Sequence, residues 1–211
     1  MWTIVVAGGS AQRYGAAKQF ERLGRTTVLG HACRAAATVS DGVVVVLPVA
    51  LTVGGELPDL GGVRATVVPG GDTRAASVRC GLDAVPTDAE VVLVHDGARP
   101  LASSALFARV VDAVLAGAEA VVPVTPVVDS LRWRGGGAAP RDDLLRVQTP
   151  QGFAARVLRE AHRSGGDATD DATLVESTGR PVVVVDGEEA NLKITTPIDL
   201  VIAAALLEVA A

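Results

Sequence analysis

Short β-branched runs alternate with alanine- and leucine-rich segments along most of this chain, and that rhythm constrains the fold more than any other feature of the sequence. Residues 2–6, 42–47, 63–68, 91–95 and 120–124 read as strands, and 28–38, 74–84 and 104–116 between them read as helices. Apolar strand runs joined through helical segments are the mark of βαβ crossovers, with a sheet covered on both faces. The pattern predicts a Rossmann-like α/β fold with a mostly parallel sheet flanked by helices. Ligands in such folds sit outside the carboxyl ends of the strands, so the loops that follow the strands are where function is sought.

The first of those loops carries little side-chain bulk. The run Thr3 to Val6 stops at Ala7-Gly8-Gly9-Ser10, and small residues persist up to Lys18. Amides without Cβ atoms beside them can approach an anion or a base edge closely, and Arg13 and Lys18 can reach phosphates. The loop reads as a nucleotide loop. Its plain alternative is a tight strand-to-helix turn, since the spacing matches neither G-x-x-x-x-G-K-[ST] nor a clean G-x-G-x-x-G.

Composition narrows the partners. A length of 211 residues with 49% apolar content suits one domain, residues 1–211, with room for a small appendage. The formal net charge of −5 argues against a general nucleic-acid surface, so phosphate chemistry here must use cations gathered locally. Cys33 and Cys80 lack metal-type spacing and read as packing residues. Neither a charged leader nor an apolar run of ~18 residues occurs, so a cytoplasmic protein without membrane insertion is expected.

The later loops carry the polar chemistry. Pro69-Gly70-Gly71-Asp72-Thr73-Arg74 follows the third strand and leads to Ser77, and His95-Asp96-Gly97-Ala98-Arg99-Pro100 follows the fourth. Asp96 ends an apolar strand, where a carboxylate is costly to bury unless a metal or cation pairs with it. It reads as a Mg²⁺ ligand, or else as the partner of Arg99 or a cap of the next turn. Asp72 divides between a site residue and a helix N-cap. His95 reads as structural, and His31 and His162 have no clustered partner in the sequence.

Beyond residue 127 the pattern changes. Asp129 to Arg134 alternates polar and apolar residues, Gly135-Gly136-Gly137 makes a turn, and Leu144 to Gln148 returns as a second strand, so residues 127–148 read as a projecting β-hairpin arm. An arm with so little core is expected to pack on a second copy of the chain. A helix is expected from Phe153 to about Arg163, another near 172–177, and a strand over 181–185. Asp171 reads as an acid favouring a helix N-terminus. Thr196, Pro197 and Asp199 mark the start of the last helix, and Lys193, just before it, reads on its own as solvated.

In this order, Gly-Gly-Asp-x-Arg-x-x-Ser-Val at 70–78, Val-His-Asp-Gly-Ala-Arg-Pro at 94–100, Thr-Pro-Gln at 149–151, Thr-Asp-Asp-Ala at 169–172 and Leu-Lys-Ile-Thr at 192–195 resemble the 2-C-methyl-D-erythritol 4-phosphate cytidylyltransferase family over essentially the whole chain. The resemblance implies transfer of a cytidylyl group from CTP to a small polyol phosphate, with Mg²⁺ or another divalent cation on Asp96. It implies that Arg13, Lys18 and Lys193 act on the reacting phosphates. Ala7, Gly8, Gly9, Ser10, Gly71, Asp72, Ser77, Asp96 and Gly97 would take the nucleotide. Asp96, Arg99, Thr149 and Lys193 would take the acceptor, with Ser130 and Arg141 reaching in from the arm of a second subunit, so a homodimer is implied. Val6 stands where the family usually has proline, Gly8 and Gly97 where it has alanine, and Ser130 where it has threonine. Those departures leave open an acceptor such as ribitol 5-phosphate, or a non-catalytic nucleotide-binding homologue.

Overall fold

The computed structural model describes residues 1–8, 18–52, 57–163 and 166–209. Fourteen principal elements follow in chain order. They begin with β1 (Trp2–Val6), α1 (Val28–Ala37), β2 (Gly42–Leu47), β3 (Thr66–Pro69) and α2 (Arg74–Ala84). Then come β4 (Val91–Asp96), α3 (Ser104–Leu115), β5 (Ala120–Pro126), β6 (Leu145–Val147) and β7 (Gln151–Ala154). The last four are α4 (Ala155–Arg163), α5 (Asp171–Glu176), β8 (Val183–Asp186) and α6 (Pro197–Val209).

One mixed, mostly parallel sheet of eight strands organises them. From one edge the order runs β3, β2, β1, β4, β7, β5, with the first four parallel and β7 inserted antiparallel between β4 and β5. β6 also pairs antiparallel with β5, and β8 pairs parallel with it. Pro69 closes β3 at the sheet edge, where a residue without an N–H is tolerated. The register sets Val6 opposite Asp96, which places the loop after β1 beside the end of β4.

Alternation along the strands sorts side chains into two cores. Ile4, Val44, Val46, Val92 and Val94 pack with α2, α4 and α5 on one face. Val5, Val43, Val45, Val91 and Leu93 pack with α1 and α3 on the other. Ile4 and Phe107 have no exposed surface, and full burial of such side chains contributes ~1.5–3 kcal/mol each. Short polar residues cap the helices: Thr27, Thr73 and Ser103 each accept an amide of the first turn of α1, α2 and α3. Asp199 accepts the amides of Thr195 and Thr196 ahead of Pro197, so the expected start of α6 stands where the sequence put it.

Three expectations are corrected. The third strand begins at Thr66 and not at 63, since Gly61 and Gly62 have positive φ and Val63 closes a turn on Leu60. Phe153 does not start a helix: it lies in β7 opposite Val92 and Ala120, and the helix begins at Ala155. Gly152 in that strand lets α3 come close, because a Cβ there would stand 2.5 Å from Val110 Cγ1. The arm pairs differently as well. Leu131–Arg132 pairs with Ala138–Ala139, whereas the returning segment joins the main sheet as β6 against β5.

His95 is the polar member of the core beneath the sheet end. It is fully buried, with its ring edge-on to Phe107 at 5.0 Å. Nδ1 lies 3.0 Å from Thr149 Oγ1 and Nε2 3.2 Å from the Arg99 carbonyl. A carbonyl only accepts, so Nε2 carries the proton and the Thr149 hydroxyl donates to Nδ1, an assignment from the network. Burial pushes the His95 pKa down to about 4, with Asp96 opposing.

Three outcomes follow from this packing. At Gly81 a Cβ would stand 2.5 Å from Ile4 Cγ2 and 3.1 Å from Val46 Cγ2, so Gly81→Val is expected to cost ~1–3 kcal/mol in denaturant unfolding. Gly135→Ala in the arm, with open space around it, is expected to stay within ~0.5 kcal/mol. For His95, the unfolded side chain (~6.5) binds protons that the folded one does not until pH falls to about 4. Stability therefore rises with pH across that window, and acidification from pH 7 to 4 should cost on the order of 3 kcal/mol through this group. Unfolding curves at stepped pH should show a shallower acid limb in His95→Gln.

Candidate active site

A cavity of about 450 Å³ opens beyond the carboxyl ends of the central strands. One wall is the end of β1, Val6, Ala7 and Gly8, and another is Lys18 and Gln19. The loop into α2 adds Gly71, Asp72 and Thr73, the start of α2 adds Arg74 and Ser77, and the end of β4 and the turn after it add Asp96 and Ala98. Lys193 closes it from the segment before α6. Gln19 Nε2 donates to the Ala7 carbonyl at 2.9 Å and holds the two sides of the first loop together.

Asp96 sits among cations drawn from three parts of the chain. Lys193 Nζ donates to Oδ2 at 2.7 Å, Arg99 Nε stands 3.9 Å from the same oxygen, and Arg74 Nε faces Oδ1 at 3.7 Å. Burial alone would raise the Asp96 carboxyl; Lys193, then Arg74 and Arg99, outweigh it and hold the group well below the usual carboxylate range. The carboxylate is therefore fixed as an anion. Lys18 lines the same cavity, and its charge helps to lower Asp199, where burial acts the other way and the amides of Thr196 and Thr195 do most of the lowering.

Behind Asp96 lies a neutral hydrogen-bonded layer. The Asp96 amide donates to Thr149 Oγ1 at 3.0 Å, the same hydroxyl that serves His95. Buried Asn191 donates to Gln148 Oε1 and to the Thr149 carbonyl, and its own carbonyl accepts Arg99 Nη1 at 2.7 Å. The Ile194 amide reaches the Ala98 carbonyl at 2.8 Å. These contacts tie the Lys193 segment to the end of β4 and fix where the ammonium can reach.

The structure brings Ala7, Gly8, Lys18, Gly71, Asp72, Ser77, Asp96 and Lys193 to one cavity, with Arg99 and Thr149 directly behind it. Gly97 is packed closely beside Ala7: a Cβ there would meet Leu29 Cδ1 at 2.9 Å and Ala7 Cβ at 3.1 Å, so an alanine would need the Leu29 side chain to shift. Thr73 caps α2, so the N-cap alternative for Asp72 falls away. Lys193 is paired and not merely solvated. Gly9, Ser10 and Arg13 lie outside the described residues. Ser130 and Arg141 are exposed on the arm and do not line the cavity of their own chain. Arg141 donates to the Val128 carbonyl there.

Sequence reading gave no role to Arg74, Gln148 and Asn191, and it left His162 without a partner. Arg74, inside the quoted Gly-Gly-Asp-x-Arg motif, had a signal in plain view. His162 Nε2 in fact donates to Asp171 Oδ1 at 2.9 Å, and Asp171 Oδ2 holds Arg74 Nη1 at 2.6 Å. Asp171 is 1% exposed, so it is a buried counter-ion and not simply an acid at a helix end. Burial would weaken the Arg74 cation, but Asp171 and then Asp96 raise it above its ordinary value.

Comparison with known proteins identifies the family. The family model described as 2-C-methyl-D-erythritol 4-phosphate cytidylyltransferase matches residues 1–209. A protein of that name from Streptomyces coelicolor is 44% identical over 226 residues, spanning 97% of this chain and 83% of the relative. Another from Rhodococcus opacus is 45% identical over 217 residues, spanning 97% and 94%. The crystal structure of the Thermus thermophilus enzyme of that name superposes with a TM-score of 0.84 at 41% identity, covering 98% of each chain. The chain belongs to the 2-C-methyl-D-erythritol 4-phosphate cytidylyltransferase family.

Proposed function

We infer that this chain joins CTP and 2-C-methyl-D-erythritol 4-phosphate to give 4-diphosphocytidyl-2-C-methyl-D-erythritol and pyrophosphate. The observation that carries the reading is the Asp96 carboxylate clamped by Lys193 in a cavity that Lys18 also lines, in a chain of this family. A phosphate oxygen of the acceptor attacks the α-phosphorus of CTP, and the new P–O bond forms as the bond to pyrophosphate breaks. The attacking group is already an anion near neutral pH, so no general base is needed, and enclosed His95 is not required as one. The obstacle is repulsion between two polyanions and the charge that gathers on the α-phosphoryl oxygens.

The chain's own cations meet that obstacle. In this reading Lys18 and Lys193, which line the cavity, act on the reacting phosphates, and Arg13 from the first loop is assigned the same task. Arg99 and Thr149 brace the acceptor side. Holding both substrates in line replaces ~7–11 kcal/mol of entropic and solvent-reorganisation barrier.

The reading also assigns Mg²⁺ to Asp96. No three His, Cys, Asp or Glu side chains cluster as a metal site among the described residues, so Asp96 would hold the ion together with oxygens of the nucleotide phosphates, a common arrangement for this ion. Asp96 Oδ1, 3.7 Å from Arg74 Nε, is beyond hydrogen-bond length and suits that task. A divalent cation held there by Asp96 would supply charge neutralisation at the phosphates and at the departing pyrophosphate.

A homodimer completes the site in this reading. The arm exposes Val128 at 68% and Trp133 at 61%, apolar surface that a second copy would cover. Ser130 and Arg141 would then serve the partner's acceptor pocket. No described helix is long and apolar enough to cross a membrane, and the proposed location is the cytoplasm, where nucleoside triphosphates are held.

Pyrophosphate release from CTP and Mg²⁺, measured across a panel of polyol phosphates, tests the reaction: turnover should be confined to 2-C-methyl-D-erythritol 4-phosphate, and faster turnover with ribitol 5-phosphate would reassign the acceptor. Lys18→Ala and Lys193→Ala should each lower kcat at least ~10-fold and up to ~10³-fold with the fold intact by circular dichroism. Wild-type turnover in both would exclude the mechanism. For the dimer, Arg141→Ala and Lys193→Ala proteins should each be impaired alone and should partly restore activity when mixed, because a mixed dimer has one complete site; no recovery would place Arg141 outside the partner's pocket.

A further inference from the structure

Arg74 is the first residue of α2, and this side chain of the cavity wall is held from behind by the buried carboxylate of Asp171. Its Nη1 lies 2.6 Å from Asp171 Oδ2, and its Nε faces Asp96 Oδ1 at 3.7 Å. Asp171 comes from α5, 97 residues further along the chain. Its second oxygen accepts His162 Nε2 at 2.9 Å, from the last turn of α4. Both carboxylate oxygens are thus used, each by a different helix.

Neither residue is explained by local structure. Asp170 caps α5 by accepting the Thr173 amide at 2.8 Å, so the helix does not need Asp171 at its first position for that purpose. Asp171 is 1% exposed and His162 3% exposed, and burying charge or unpaired polarity is costly compared with an apolar residue of similar size. His162 Nδ1 is buried without a hydrogen-bond partner, so the polar contact its ring makes is the one to Asp171.

We propose that Asp171 and His162 are positioning residues of the nucleotide site, acting through Arg74. The planar guanidinium is held by one terminal nitrogen on Asp171, and His162 fixes the carboxylate from its other side. Arg74 is thereby kept in the cavity wall, facing Asp96 without closing onto it. Without Asp171 the nearest anion for Arg74 is Asp96 itself. A bidentate Arg74–Asp96 pair would occupy Oδ1 and withdraw a cation from the phosphate pocket. The proposal rests on the reading of the cavity as a CTP site, which wild-type binding and turnover test separately.

The experiment measures CTP dissociation constants by calorimetry, KM and kcat, and unfolding midpoints for five variants: Arg74→Met, Asp171→Asn, the double variant, His162→Gln and His162→Leu. Arg74→Met and Asp171→Asn should each weaken CTP about tenfold or more, the loss usual for a charged hydrogen bond. The double variant should be no weaker than Arg74→Met within about twofold, since Asp171 acts only through Arg74. His162→Gln, which retains a donor, should bind CTP better than His162→Leu. Effects that multiply in the double variant, or a lower unfolding midpoint with unchanged CTP affinity, would overturn the proposal. If Asp171→Asn does not fold, the two His162 variants decide it, because both retain the buried carboxylate: equal CTP affinity in them would also overturn it.

Discussion

The ion pair between Asp96 and Lys193 is the constraint on which the rest of the site depends. A carboxylate at the end of a buried strand is expensive to keep charged, and here the nearby cations outweigh the cost of burial. Two of them, Lys193 and Arg74, come from segments that only the fold brings to β4. The third, Arg99, leaves the same strand end. Pulling on one anion from several directions fixes the position of all of them, which is the preorganisation that chemistry between two phosphate compounds requires.

Neutral hydrogen bonds do the positioning behind this charged layer. Thr149 links the Asp96 amide to His95, and Asn191 links Gln148, Thr149 and Arg99. Because these groups are enclosed, each bond is electrostatically stronger than in water and each missing one would be costly. Lys18, Arg74 and Lys193 line the cavity against Asp72 and Asp96, so the cavity is locally positive although the chain as a whole carries a formal charge of −5. A small polyphosphate is suited by such a local excess, whereas a net charge of −5 offers no general attraction for a long nucleic acid.

Several features could be read before any coordinates. The valine runs within β1, β2 and β4 place apolar side chains on both faces because both faces are covered, and helices α1, α2 and α3 begin within a residue of where periodicity puts them. Thr196, Pro197 and Asp199 announce α6 through local geometry alone. Phe153 was illegible for a physical reason: a four-residue strand has no period to distinguish it from the first turn of a helix, and only its insertion between β4 and β5 settles it. Leu145–Val147 had the alternation of a strand but could not announce its partner, since β5 and the 131–132 segment offer the same kind of edge.

What the sequence determined by itself is short-range: strand and helix character, the caps, the bare loop after β1 and the presence of acids and bases at strand ends. Sheet order and register, which are long-range, decided which of those charges meet. Asp171 looked like an ordinary helix-end acid, and His162 looked solitary, until α4 and α5 packed on the same face of the sheet as α2. Lys193 is 97 residues from Asp96, and no local propensity encodes their 2.7 Å contact. That contact exists because the Ala98 and Arg99 backbone and side chain hold the 191–194 segment against the end of β4. Local patterning is a property of neighbours in sequence, whereas a charged site is a property of neighbours in space.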